Sequence, residues 1–330
     1  MTGWSASAPV RLDFAGGWTD VPPFASREGG VVVNAAIDLR GYASFEPGGD
    51  AILVHAEDVQ QSARVTRAID LEQTPNLALH RAALRMFPVG PGTLRTRSDV
   101  PPGSGLGSSG ALDVAMVAVL AAARGEELSA HDLAAYGWHL EVVEAGHPGG
   151  RQDQYAAALG GFHRMHFLGD EVRAEQLRLD PEFLRELERR TVVCYTGRSR
   201  VSGDTIARVM AAYERGDATV TGALRRMAAI ADRMAEALVA ADLSVVATLL
   251  SENWRCQQQL DAGMRTNEMA ALEAAMTSAG ALGGKAAGAG AGGSMFFLMG
   301  DEIDAGRRAA DRAGAKLLRS AWSAAGVDRC

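Results

Sequence analysis

Val100-Pro-Pro-Gly-Ser-Gly-Leu-Gly-Ser-Ser-Gly-Ala111 runs directly into an apolar segment that continues to Arg124. Glycines at 103, 105 and 107 let the backbone approach a ligand closely. A helix starting at Ser108 would offer that ligand unpaired N–H groups and the positive end of its dipole, which favours an anion such as a nucleotide phosphate. Ser108 and Ser109 stand where hydroxyls could hold phosphate or Mg²⁺. The run contains no lysine, so it is not the P-loop, which needs Gly-Lys followed by Ser or Thr. The ordinary alternative is a glycine-rich turn with a serine N-cap. The rest of the chain has to decide between them.

Composition narrows the choice. The chain has 330 residues, 47% apolar and 22% charged, which is enough for two domains around a substantial core and argues against global disorder. A formal charge of −7 argues against a non-specific nucleic-acid binder, which usually carries a basic surface, while leaving room for a local anion site. Lys285 and Lys316 are the only lysines, so a phosphate clamp has to use arginine, backbone amides or a metal ion. Cys194, Cys256 and Cys330 match neither zinc-ligand spacing nor a disulfide framework and read as free thiols in a reducing compartment. The N-terminus shows no basic region followed by an apolar stretch, and Ala111–Ala123 is too short to span a bilayer and carries Asp113. The expectation is a cytoplasmic chain with no nucleic-acid or membrane partner.

Outward from the glycine run, residues 8–60 predict strands at 31–33, 42–45 and 51–54, bounded by Gly, Pro and Asp. Helical spacing covers 76–87 and 108–124, and Ser129 with Asp132 forms a capping box for a helix over 130–145. Gly160-Gly161 turns into a strand at 162–167, and a polar stretch, 169–188, separates two halves. Thr191–Tyr195 reads as a buried strand, followed by helices at 203–215, 219–239, 242–260 and 268–279. A glycine cluster then leads into the apolar strand 295–299 and a terminal amphipathic helix. Strands intermixed with helices predict an α+β architecture in two lobes, divided at 1–185 and 186–330.

Four further motifs carry chemistry. In Arg11-Leu-Asp-Phe-Ala-Gly-Gly-Trp-Thr-Asp20, a strand enters a glycine turn. Asp20, Thr19 and the backbone near Gly17 could bind polyol hydroxyls beneath Trp18, or Thr19 and Asp20 could simply satisfy a local turn. Gly149-Gly150-Arg151-Gln152-Asp153-Gln154-Tyr155 delivers a carboxylate at the start of a helix. Asp153 there is either a general base for a substrate hydroxyl or a helix-dipole partner. Glu141 and Glu144 lie one helical turn apart; one could share Mg²⁺ with a loop serine, the alternative being a solvated helix face. Gly288–Gly293 and the arginines of Thr196-Gly197-Arg198-Ser199-Arg200 could approach phosphate or an anionic sugar group, or form a tight connection and an exposed basic loop. His163 and His166 have no accompanying ligand cluster and read as structural.

In this order the motifs resemble those of the GHMP kinases, the superfamily of galactokinase, homoserine kinase, mevalonate kinase and phosphomevalonate kinase. Pro101–Ser109 is similar to the family's ATP-binding motif and Gly288–Gly293 to its C-terminal glycine motif, where Ala289, Ala291 and Ser294 make the loop less glycine-rich than in many members. Arg11–Asp20, Gly150–Tyr155 and Tyr195–Ser202 resemble the branch of heptose 7-phosphate kinases and the kinase module of fucose salvage enzymes.

The resemblance implies a ribosomal-protein-S5-like N-terminal domain, a ferredoxin-like C-terminal domain, and a site between them where ATP and Mg²⁺ phosphorylate the anomeric hydroxyl of a small-molecule sugar or sugar phosphate. It implies Asp153 as base, with Arg11 near the attacking oxygen. Pro102, Gly103, Ser104, Gly105, Leu106, Gly107, Ser108 and Ser109 would hold ATP, and Ser109 with Glu141, in preference to Glu144, the metal. Gly17, Trp18, Thr19, Asp20, Gly290 and Gly292 would contact the sugar, and Arg198 and Arg200 a distal phosphate. Two alternatives stand beside it: a fucokinase-like kinase of neutral sugars, and a non-catalytic binding protein built on a kinase fold, against which the retained Asp153, paired serines and metal glutamate speak.

Overall fold

The apolar runs of the N-terminal region become two long paired strands in the computed structural model, which describes residues 3–65, 74–198 and 203–329. β1 (Trp4–Ala15) lies antiparallel to β2 (Gly30–Pro47), with the short α1 (Phe24–Glu28) between them. At 18 residues, β2 serves three partners. It pairs with β1, with β6 (Phe162–Leu168) along its first half, and with β5 (Gly92–Ser98) along its second. β3 (Ile52–Ala56) runs parallel to β5, β4 (Gln61–Val65) pairs with β3, β7 (Glu171–Gln176) with β6, and β12 (Asp328–Arg329) with β1. α2 (Ala78–Met86) precedes β5.

The segment after the glycine run is apolar on every side, so it can only be a buried helix. α3 (Ser108–Ala123) lies on β1 and β2, with Val114, Val117 and Leu120 fully enclosed. α4 (Ala130–Trp138) starts from the expected capping box, in which the Ser129 hydroxyl accepts from the Asp132 N–H and the Asp132 carboxylate accepts from the Ser129 N–H. The helix then widens into a π-helical turn over 139–144 before the chain reaches α5 (Gln152–Leu159).

The second sheet, ordered β11-β8-β10-β9, is antiparallel throughout: β8 (Thr191–Tyr195), β9 (Ala281–Ala286), β10 (Ser294–Met299) and β11 (Lys316–Leu318). α6 (Pro181–Arg190), α9 (Leu243–Gln257), α10 (Asn267–Ser278) and α11 (Ile303–Arg312) pack on it, while α7 (Gly203–Glu214) packs on α8 (Ala218–Val239), which lies between α9 and the first sheet. This is the mixed α+β architecture expected, with an S5-like first lobe and a ferredoxin-like second.

Three features depart from the sequence reading. The polar stretch 169–188 is not a plain separator but holds β7 and α6, whose Phe183 and Leu187 are buried and whose N-terminus is capped by Asp180. The divide at 185 therefore falls inside α6, and the lobes share a continuous core because α8 packs on β1 and β2. β9 escaped detection because Gly283 and Gly284 interrupt its apolar pattern. Both are needed for close packing: a Cβ on Gly283 would lie 2.0 Å from the Ala247 carbonyl oxygen of α9, and one on Gly284 2.3 Å from Phe297.

Candidate active site

Between the lobes lies a cavity of about 510 Å³. β1 supplies its floor: strand alternation sends Leu12 and Phe14 into the core and turns Arg11 and Asp13 to the cavity. The Arg11 Nε donates to Asp153 Oδ1 at 2.8 Å, and its Nη1 donates to the carbonyl oxygens of Gly105 at 2.7 Å and Ala287 at 2.9 Å. One guanidinium thus ties the first glycine loop, the end of β9 and the carboxylate of α5 together.

Residues 151–155 fan out at the start of α5, where each successive side chain turns by about 100°. Arg151 stacks over Trp138 at 4.3 Å and reaches the Gly169 carbonyl. The Gln152 N–H and side-chain amide both donate to Asp20, at 3.0 and 3.3 Å. Asp153 faces Arg11, while the Gln154 amide donates to Glu141 at 2.6 Å. Glycines make room for this. A Cβ on Gly110 would lie 2.8 Å from that of Asp153, and a Cβ on Gly150 would lie 1.9 Å from Asp20 Oδ2.

Carboxyl groups crowd one side of the cavity. Glu141 keeps part of its surface open, yet the protein around it pushes its carboxyl up to about 7; the Ser109 hydroxyl, hydrogen-bonded to it, opposes this and the nearby Asp153 charge adds to it. Burial likewise raises Asp20 to about 6, opposed by the Gln152 N–H and reinforced by Asp153 and Asp13. Asp113, fully enclosed one turn beyond Ser109, is raised well above the usual carboxylate range by burial and then by Glu141. Such a cluster favours a cation. Among the described residues no three His, Cys, Asp or Glu side chains converge to hold a metal alone; the oxygens of Ser109 and Glu141 could hold one only together with ligand phosphates, which is how Mg²⁺ is usually bound.

The site residues expected from sequence divide into two groups. Asp153, Arg11, Pro102, Gly103, Gly105, Gly107, Ser108, Ser109, Glu141, Gly17, Trp18 and Asp20 all line the cavity. Glu144 does not, because the π-helical turn breaks its equivalence with Glu141 and points it at Arg85 and His139, each 3.9 Å away. Ser104 and Leu106 are enclosed and anchor the loop: the Ser104 carbonyl accepts from the Ser294 N–H at 2.7 Å and the Leu106 carbonyl from the Arg11 N–H at 2.9 Å.

The Thr19 hydroxyl is enclosed and serves its own turn instead of a sugar: it accepts from the Val31 N–H and directs its proton to the Gly16 and Val31 carbonyls. Gly290 packs on Met264 and Gly292 on the Arg198 carbonyl; the second glycine loop meets the cavity through Gly288 and Ala289 instead. Arg198 is exposed and pairs with Glu268 at 3.3 Å, outside the cavity wall. Arg200 lies outside the described residues. Sequence reading missed Asp13, Gln152, Gln154 and Lys285. The last carried a signal, being one of two lysines in an otherwise arginine-only basic complement.

A loop of glycine amides at the N-terminus of a buried helix, facing a carboxylate–guanidinium pair across a cleft between an S5-like and a ferredoxin-like lobe, is the arrangement of a small-molecule kinase. The chain belongs to the GHMP kinase family: residues 74–161 match the model described as GHMP kinases N terminal domain and 234–327 that of GHMP kinases C terminal. It is 32% identical over 302 residues to the D-glycero-alpha-D-manno-heptose 7-phosphate kinase of Campylobacter jejuni subsp. jejuni, covering 88% of each chain.

It is also 30% identical to the bifunctional fucokinase/GDP-fucose pyrophosphorylase of Arabidopsis thaliana, over 89% of this chain and 29% of that protein. A crystal structure described as a D-glycero-D-manno-heptose 1-phosphate kinase from Bacteriodes thetaiotaomicron superposes with a TM-score of 0.79 at 26% identity, covering 99% and 98% of the two chains. The protein is an ATP-dependent sugar kinase. No helix among the described residues is long and apolar enough to cross a membrane. Cys194 and Cys256 are free and buried, and burial pushes the Cys194 thiol up to about 12, leaving it unreactive.

Proposed function

We propose that the protein transfers the γ-phosphoryl group of ATP, with Mg²⁺, to the anomeric hydroxyl of a heptose 7-phosphate or a closely related sugar. The observation that carries this reading is the 2.8 Å pair between Asp153 and Arg11 inside the cavity, beside the amides of both glycine loops. Asp153 accepts the proton of the sugar hydroxyl as its oxygen bonds to phosphorus and the bond to ADP breaks. Arg11, locked by two carbonyls and Asp153, keeps a positive charge beside the attacking oxygen without needing to reorganise. The loop from Pro102 to Ser109 holds the nucleotide phosphates, and Asp20 accepts from a sugar hydroxyl. Ser109 and Glu141 would hold Mg²⁺, whose charge neutralises the triphosphate; their mutual hydrogen bond and the crowding of carboxyls are what make them fit.

One observation favours a second reading, a kinase of neutral sugars. With Arg198 paired to Glu268 outside the cavity, the described wall offers only Arg11 and His147 as basic side chains, which is little for a second phosphate. The test compares ATP-dependent turnover of heptose 7-phosphate, free heptose, mannose and fucose, with the new phosphate located by NMR. The main reading expects heptose 7-phosphate to have the highest kcat/KM and its product to carry phosphate at the anomeric carbon. A higher kcat/KM for a neutral sugar selects the second reading, and phosphate on another oxygen removes both.

A further inference from the structure

Lys285 is one of only two lysines in the chain, and it is fully buried at the end of β9. Its ammonium makes three hydrogen bonds: to the Asp13 carbonyl at 2.6 Å, to Asp13 Oδ2 at 2.9 Å, and to the Ala286 carbonyl at 2.8 Å. Three donors on a compact point charge match three acceptors in a closed niche, which a planar guanidinium could not do. Burial lowers the pKa of Lys285, and the Asp13 charge opposes that.

Asp13 is only half used by this pairing. Its Oδ2 faces Lys285, while Oδ1 is buried without a partner. Two neighbours on the same wall of the cavity are in the same condition: the Trp18 Nε1 and the Gln152 Oε1. The described residues hold other unpaired buried polar atoms, but these three are the ones whose residues line the cavity, where a ligand rich in hydroxyls would supply the missing partners. Gly17 belongs to the same arrangement, because a Cβ there would lie 2.1 Å from Asp13 Oδ2 and 3.2 Å from the Gln152 amide nitrogen. Any other residue at 17 would separate Asp13 from Gln152 and cover the wall. A clamp between lobes would need the glycine too, because the Cβ would strike the oxygen that holds Lys285, but it would not need a carboxylate oxygen left free.

From this geometry we infer that Asp13 is a further sugar-binding residue, whose free carboxylate oxygen accepts from a substrate hydroxyl, and that Lys285 is a positioning residue that holds Asp13 oriented from the opposite lobe. The inference rests on reading this cavity as the sugar site. A buried ion pair can be replaced by apolar residues of similar volume with little loss of stability. The double variant Asp13→Leu/Lys285→Met therefore separates the two roles.

With the best sugar of the four-sugar panel as probe, the double variant is expected to melt near the wild type, to raise the sugar KM about tenfold or more, and to leave the ATP KM within about twofold. Asp13→Asn, which keeps shape and Lys285, is expected to raise the sugar KM with a smaller effect on kcat. Lys285→Arg should fail to preserve the wild-type sugar KM. A wild-type sugar KM in either folded Asp13 variant overturns the inference while leaving the kinase intact. A wild-type protein that phosphorylates none of the four sugars overturns the proposed function and this inference together.

Discussion

Gly103–Gly107 and Gly288–Gly293 look alike in composition, yet they meet the cavity differently. In the first loop Gly103, Gly105 and Gly107 all have φ between +70° and +76° and all three line the cavity. In the second, Gly290, Gly292 and Gly293 also take positive φ but turn away, onto Met264, the Arg198 carbonyl and the Ser104 carbonyl. The second loop mainly holds the first: Ser294 N–H donates to Ser104, and Arg11 spans Gly105 and Ala287. Glycine content reports that a backbone must turn where side chains cannot follow; it does not report which neighbour the turn serves.

The sharpest test of that contrast is the carboxylate against which the first loop packs. Asp153→Asn is expected to lower kcat by about 10³-fold or more while the ATP Kd from calorimetry stays within about twofold. Near-normal turnover in a folded variant would remove Asp153 from the base role and with it the main reason to rank the first loop higher. Next comes the loop itself. A Cβ at Gly107 would press on the Asp153 carboxyl at 3.2 Å with φ at +76°, so Gly107→Ala should cost about 10²-fold in kcat/KM through misplacement of the base.

Asp20, held by the α5 side of the cavity, gives a pH signature. Its folded-state pKa of about 6 lies above its ordinary value of 3.8, so any stability this group contributes is present below about pH 3.8 and is lost as pH rises through about 6. Asp20→Asn should therefore raise stability by about 1–3 kcal/mol at pH 8 and leave it nearly unchanged at pH 3.5, provided the Gln152 amide turns to present Oε1 to the new donor. The same variant should weaken the sugar by about tenfold in KM. Thermal melts at the two pH values check the first claim; equal shifts at both would break it.

The second loop should answer differently. Gly292→Ala, at φ +125° with the nearest neighbour a carbonyl at 3.2 Å, should cost about 1–3 kcal/mol of stability and change kcat/KM by less than about twofold. A kinetic loss as large as that of Gly107→Ala would erase the distinction between the loops. The smallest effect is expected for Arg198→Ala, which removes only a solvent-exposed ion pair with Glu268: a sugar KM within about twofold of the wild type, whether or not the sugar carries a phosphate.

Most of the fold was legible because its signals are local. The largely apolar run after Gly107 read as a helix, and Ser129 with Asp132 formed the capping box that the spacing requires. β9 and the wide turn at 139–144 were not legible. The first hides behind glycines demanded by α9 and Phe297, and the second changes helical phase without changing residue types. For the candidate site, the motifs pointed to Asp153, Arg11, Ser109 and Glu141, and all four line the cavity. They did not show that Thr19 spends its hydroxyl on its own turn, since a threonine in a turn can face backbone or ligand with the same sequence.

The sequence by itself determined the two-lobed α+β architecture, the glycine loop at the head of α3 proposed to hold nucleotide phosphates and the carboxylate at the head of α5, because periodicity, capping and glycine placement act within a few residues of one another. Only the tertiary structure decided which glutamate faces the cavity, that the second glycine loop reaches it through Gly288 and Ala289, and that Lys285 reaches across 272 positions to hold Asp13. Those are choices of partner between distant segments. They depend on which side chains the packed lobes leave enclosed together, and no local pattern carries that information.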